Sequence, residues 1–243
     1  MSQPIKIALV GNPNCGKTSV FNQLTGLRQK VGNFPGVTVE KKTGTFKLAD
    51  TEATLIDFPG LYSLFPNSQD ERIVVSTFLN PEDPYYPDLV LYIADIMNLE
   101  RHLLLLTQIK DLRLPVVLAL NMVDLAQKEG LKYNTQTLEK SLGVPTITIS
   151  SRTGENFEEL KEIVQRKVES IETPQSFKAF YQPSKSEKIA SQYIADYFSS
   201  ENLYQSKLIG HHHDWLPFLS KDCLLYTSPS PRDATLSRMP SSA

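Results

Sequence analysis

Residues 11–19 read GNPNCGKTS, and no other stretch of the chain restricts its fold so much. An apolar run precedes it (Ile5, Ile7, Ala8, Leu9, Val10) and predicts a buried strand; Val20, Phe21 and Leu24 follow at the spacing of a helix face. Strand, glycine-turned loop and helix start are the context that a phosphate-binding loop requires. Gly11 and Gly16 let the backbone turn its N–H groups inward at the positive end of the helix, where phosphate oxygens can replace water. Asn12, Pro13, Asn14 and Cys15 form the cradle between them. Lys17 adds a point charge for the β and γ phosphates, Thr18 offers a hydroxyl to Mg2+, and Ser19 ends the motif. The plainer alternative is an ordinary glycine-rich turn, and only motifs further along the chain can weigh against it.

Composition bounds the rest. A chain of 243 residues suits one domain of about 170 residues plus an appendage. The two cysteines, Cys15 and Cys223, lie in segments of different character, which argues against a disulfide framework and for a reducing compartment. A formal net charge of -2 gives no general basic field for nucleic acid. No apolar run approaches the ~20 residues that span a bilayer; the longest pieces resemble residues 114–123, interrupted by Pro115 and Asn121. The N-terminus passes into the first strand without signal-peptide anatomy, so a soluble polypeptide is expected.

Read in order, residues 17–25 predict a helix ending near Gly26, and residues 28–38 an irregular loop long enough to be functional. Residues 39–46 and 53–58 predict an antiparallel strand pair with a turn at 48–52. A helix is expected from about Asp70, a strand at 89–94, and a helix capped by Asn98 with Leu99, Leu103, Leu106 and Ile109 on one face. Residues 116–120 predict a strand, 134–142 a short helix closed by Gly143, and 144–149 the last strand. Asn156 with Glu159 resembles a capping box opening a helix to about Ile171. This alternation indicates an α/β, doubly wound, mostly parallel sheet with ligands at the carboxyl ends of its strands. Beyond Thr173 the character changes: residues 185–199 place Ile189, Tyr193 and Tyr197 on one helical face, and residues 223–243, rich in Ser, Pro and Arg, predict disorder or a frame-shift artefact.

Further stations fall where a GTP switch needs them. Thr38, with Gly36 and Val37 before it, can offer a hydroxyl to Mg2+ and a backbone N–H to the γ phosphate, ordering the loop only while that phosphate is present. Asp57 in DFPG faces the same Mg2+, and Gly60 can aim a backbone N–H at the γ phosphate. In NMVD, Asn121 and Met122 lead to Asp124, whose carboxylate can accept both the ring N–H and the exocyclic amine of guanine. Adenine would leave that carboxylate unpaired. Ser150 and Ser151 can close over the base. Lys17, Thr38, Gly60 and Asn14 are the candidate catalytic residues.

With these motifs in place, residues 4 to about 170 resemble the G domain of the ferrous iron transporter B family. The likeness rests on GNPNCGKTSVFNQLTG at 11–26, VGNFPGVTVE at 31–40, DFPGLYSL at 57–64 and NMVD at 121–124. It implies a six-stranded Ras-like P-loop GTPase fold over residues 1–172, a partial helical, GDI-like appendage at 173–222, and a tail at 223–243. It also implies GTP and GDP as ligands, Mg2+ as cofactor, and service to the transmembrane permease of a longer protein at the cytoplasmic face of the bacterial inner membrane. Small Feo accessory proteins would be further partners. Leu61 stands where Ras-like enzymes carry the glutamine that orients water, and Arg28 is the nearest arginine to the loop. In the resembled family a K+ ion fills that gap; the matching positions here are Asn14, Gly32 and Phe34.

Two alternatives remain. A ribosome-assembly GTPase of the Era or Der type would need an RNA-binding domain with a basic stripe, and none is visible. A guanine-nucleotide sensing module without useful turnover is compatible with Leu61. Cys15 near a helix N-terminus could favour a thiolate, although a small spacer is the plainer reading. His211, His212 and His213 read as a solvated run rather than a metal site.

Overall fold

The computed structural model describes residues 4–26, 29–35, 37–48 and 51–172. The expectations for Arg28, Gly36, the 173–222 appendage, the histidine run and the 223–243 tail lie outside the described residues.

Three strands carry the architecture because they are apolar on both faces: β1 (Ile5–Gly11), β5 (Leu89–Asp95) and β6 (Val116–Asn121). Ala8, Val10, Val90, Tyr92, Ala94, Val116, Leu118 and Leu120 point into one core, while Ile7, Leu9, Leu89, Leu91, Ile93, Val117 and Ala119 point into the other. Such period-two division of a continuous apolar run is what a parallel sheet covered on both sides demands. The first core is closed by α2 (Gln69–Leu79), α3 (Leu99–Asp111), α4 (Val123–Lys128) and α5 (Thr135–Leu142), and the second by α1 (Lys17–Thr25) and α6 (Phe157–Glu169).

With β2 (Gln29–Asn33), β3 (Glu40–Leu48), β4 (Thr51–Asp57) and β7 (Thr146–Thr148), the sheet has seven strands in the order β2-β3-β4-β1-β5-β6-β7. β4, β1, β5, β6 and β7 run parallel, and β2 and β3 add antiparallel. The α/β, doubly wound class stands as expected, but the count of six strands is corrected to seven. The extra strand is β2, taken from residues expected to be irregular. Lys30, Val31, Gly32 and Asn33 are all exposed, so it has no buried face to announce it, and pairing with β3 alone makes it a strand.

Helix ends follow the sequence where a local side chain has nothing better to bind. Ser68 accepts from the Glu71 N–H at 3.2 Å while Glu71 Oε2 accepts from the Asn67 N–H at 2.7 Å, so α2 opens one residue before the position expected. Asn134 accepts from the Thr137 N–H at 2.9 Å, and Gly143, with φ 63°, closes α5. Two predicted caps are corrected. Asn98 precedes α3 but donates its Nδ2 to Asp95 Oδ2 at 2.7 Å, after a 3-10 turn at Ile96–Asn98. Asn156 takes φ 64° and donates Nδ2 to the Thr148 carbonyl at 2.8 Å, so no capping box forms. In both, the asparagine amide is held by an acceptor upstream of the helix, and its oxygen caps no helix N–H.

Candidate nucleotide site

The carboxyl ends of β1, β4, β6 and β7 come out on one edge of the sheet and carry the predicted site residues. Gly11 ends β1 against β5: a Cβ there would lie 2.3 Å from the Ile93 carbonyl oxygen. Gly16 turns the loop into α1 with φ 88°, and a Cβ on it would lie 2.3 Å from Asn121 Nδ2. Asn14 also takes a positive φ, 66°, and its side chain is exposed, as are Thr18 and Ser19. Lys17 begins α1, half-buried.

Asn121 joins the pieces. Only 1% exposed, it donates Nδ2 to the Cys15 carbonyl at 3.0 Å and to Ser151 Oγ at 3.1 Å, and its Oδ1 accepts from the Ser151 N–H at 2.9 Å. The phosphate loop, the end of β6 and the loop after β7 are thereby held in one frame. Met122 takes φ 69°, packs its side chain against the core, and delivers Asp124 at the start of α4. Asp124 Oδ1 accepts from Ser150 Oγ at 2.9 Å, and Oδ2 accepts from Arg152 Nε at 2.9 Å. Desolvation raises the Asp124 pKa, but the Ser150 and Arg152 hydrogen bonds with the guanidinium charge outweigh it and hold the carboxyl below its ordinary value.

Gly60 packs against the phosphate loop: a Cβ there would lie 3.0 Å from the Pro13 nitrogen, a proximity only glycine permits with the backbone this close. Asp57, at the end of β4, has its Oδ1 buried without a hydrogen-bond partner among the described residues. Burial raises its pKa, opposed by the charges of Lys17 and Lys42, with Glu40 adding to the rise. A buried orphan carboxylate oxygen within the field of Lys17 suits a hard divalent cation, so the residues present fit Mg2+.

The Cys15 thiol is 1% exposed, and burial pushes it up to about 11 against the pull of Lys17. The thiolate reading therefore gives way to the spacer. Leu61 is fully buried in the first core.

Not every predicted residue joins this frame. Asn12 spends its side chain on the fold: Nδ2 donates to the Arg101 carbonyl at 3.3 Å, and Oδ1 lies 3.0 Å from the Tyr92 hydroxyl, which also donates to the His102 carbonyl at 2.6 Å. Val37 and Thr38 are exposed beyond β2. Gly32 lies in the ladder opposite Lys41, and Phe34 buries its ring against Phe58 with centroids 5.5 Å apart. Among the described residues no hydrogen bond ties Asn14 to Gly32 or Phe34. Arg152 and Tyr92 are the partners that the sequence reading passed over. Arg152 directly follows the serine pair, which was the available signal; nothing in the spacing marks Tyr92.

A family model described as ferrous iron transport protein B matches residues 5–164. The Fe(2+) transporter FeoB of Escherichia coli strain K12 is 43% identical over 166 residues, covering 67% of this chain and 21% of that protein. The chain spans 18–23% of the length of the curated relatives it matches. The G domain of the T. maritima FeoB iron transporter has a TM-score of 0.62 at 44% identity, covering 68% of this chain and 99% of that one. The cytosolic domain of the same transporter in a GDP form has a TM-score of 0.74 at 34% identity, covering 100% of this chain and 89% of that one. The architecture is the Ras-like P-loop GTPase fold of these neighbours, and the chain belongs to the ferrous iron transport protein B family.

Proposed function

We propose that this chain is the guanine-nucleotide switch of a ferrous iron transporter. It binds GTP and GDP, hydrolyses GTP slowly with Mg2+, is stimulated by K+, and governs iron(II) uptake through the transmembrane permease of a longer protein. Small Feo accessory proteins are further partners in this reading, and nucleic acid is not. The observation that carries it is the Asn121 bridge, which ties the loop at Cys15 to Ser151, the neighbour of the Ser150 that holds the Asp124 carboxylate. The GDP form of the T. maritima domain supports the choice of ligand.

In this reading the amides of residues 11–18 and the Lys17 ammonium hold the β and γ phosphates, and Asp124 with Ser150 and Ser151 holds the base. Thr18, Thr38 and Asp57 would hold Mg2+, which neutralises phosphate charge when bound. Asn14, with the carbonyls of Gly32 and Phe34, would hold K+, which adds positive charge beside the transferring phosphoryl group. Water attacks the γ phosphorus, the bond to the β–γ bridging oxygen breaks, and GDP leaves with that oxygen. The Gly60 and Thr38 N–H groups stabilise the charge that develops. Buried Leu61 cannot orient the water, so hydrolysis is slow. That burial also favours the second reading, a guanine-nucleotide sensing module without useful turnover.

Affinities for GTP, GDP and ATP in K+ and in Na+ buffers test the proposal. ATP is expected at least about 100-fold weaker than GTP, because adenine leaves a carboxylate unpaired. Single-turnover hydrolysis should be faster in K+, and Asn14→Asp should lose that stimulation. Equal affinity for ATP removes the guanine reading; turnover no faster than free GTP leaves only the sensing module.

A further inference from the structure

The Asp124 carboxylate is held unevenly. Ser150 Oγ donates to Oδ1 at 2.9 Å, while Arg152 places both Nε, at 2.9 Å, and Nη2, at 2.6 Å, on Oδ2. A carboxylate has about four acceptor positions, two on each oxygen, so one is left on Oδ1 and none on Oδ2. Guanine offers two adjacent donors, the ring N–H and the exocyclic amine, and needs a place on each oxygen. The base and the guanidinium therefore cannot share Oδ2, and one must leave before the other is seated. Arg152 is the group free to go: its side chain is 63% exposed, against 12% for Asp124. An ion pair with so exposed a cation is weak, because water screens it and a long side chain gives up rotamer freedom to hold it.

We propose that Arg152 competes with the base for Asp124: it covers Oδ2 until guanine displaces it, and so sets how tightly this chain holds a guanine nucleotide. This rests on the guanine reading of the site. Guanine can take the place because one donor replaces the guanidinium on Oδ2 while the other fills the position left on Oδ1. Ser150 keeps its hydrogen bond to Oδ1 throughout. The displaced guanidinium turns into water, where all five of its N–H groups are solvated. Such competition lowers affinity without altering any contact between the seated base and the carboxylate.

Calorimetry with GDP, xanthosine diphosphate and ADP on the whole chain and on Arg152→Ala, Arg152→Lys, Asp124→Asn and the Asp124→Asn/Arg152→Ala pair tests it. Arg152→Ala should bind GDP about 2- to 5-fold more tightly than the parent. Arg152→Lys should fall between the two, since an ammonium cannot lay two fixed N–H groups on one oxygen. Loss of a positive charge beside a polyphosphate acts in the opposite direction, so a gain reports the freed carboxylate. Xanthine carries a carbonyl where guanine carries the amine, so it matches an amide at position 124. In the Asp124→Asn background Arg152→Ala should give no gain for xanthosine diphosphate, because no carboxylate is left to contest. In 15N spectra of the parent, saturating GDP should move the Arg152 Nε–H signal to the position of a solvated arginine. GDP binding that is unchanged or weaker in Arg152→Ala overturns the inference. An equal gain for xanthosine diphosphate in the Asp124→Asn background does the same, as does an Arg152 signal that GDP leaves in place. A parent chain that does not prefer GDP to ADP overturns the guanine reading itself, which separates the two failures.

Discussion

Gly16 is constrained twice over. Its φ of 88° lies where a Cβ costs roughly 1–2 kcal/mol, and that Cβ would meet Asn121 Nδ2 at 2.3 Å. Asn121 cannot simply swing aside, because the same nitrogen serves the Cys15 carbonyl and Ser151 Oγ. Gly16→Ala should therefore destabilise the fold by roughly 2–4 kcal/mol in urea titration, and weaken GDP binding more than 10-fold by calorimetry. An affinity within 2-fold of the parent would mean that the bridge does not set the loop. The glycines, Lys17 and Asp124 were legible in the sequence because each acts through a fixed offset from a strand end. The role of Arg152 was not, since its partner Asp124 lies on α4, 28 residues earlier, and only folding brings them within 2.6 Å.

Among the elements, β2 and the loop that follows it depend on one ring. Phe34 is buried, stacks on Phe58, and meets Tyr85 edge-on with centroids 5.8 Å apart; Phe58 in turn meets Phe78 of α2 at 5.3 Å. Lys41 on β3 places its Nζ 3.9 Å from the centroid of Tyr85 and 5.9 Å from that of Phe34. The exposed residues of β2 contribute little apolar burial, so this ring is the chief anchor of the 34–39 loop. Phe34→Ala should cost about 3 kcal/mol and speed hydrogen exchange of the amides in β2 and residues 37–39, leaving β5 and β6 protected. Uniform exchange across the sheet would show instead that the loop opens only with the whole fold. These elements also mark where sequence reading stopped. A strand with no buried face has no alternation to detect, and α4 buries only Val123 and Ala126, too few to show a helical period. By contrast, the double-faced strands β1, β5 and β6 and the helix ending at Gly143 were plain, because burial and a left-handed glycine leave direct marks on composition.

At the scale of the whole molecule, the site exists only when the sheet does. Its residues hang from the ends of β1, β4, β6 and β7, which the unfolded chain scatters, so a nucleotide held there, as proposed, would bind only the native state and stabilise it by mass action. At 100 times its dissociation constant a ligand adds about 2.7 kcal/mol, which for a domain of this size raises the melting temperature by roughly 5–10 °C. Such a shift is expected with GDP and Mg2+ and not with ADP at the same concentration, as read by scanning fluorimetry or calorimetry. The Asp124→Asn variant should transfer the shift from GDP to xanthosine diphosphate while leaving the nucleotide-free transition nearly in place, because Asp124 touches the loop after β7 and not either core. Equal shifts with GDP and ADP, or a GDP shift that survives Asp124→Asn, would mean that phosphate contacts alone account for binding and that the base is held elsewhere.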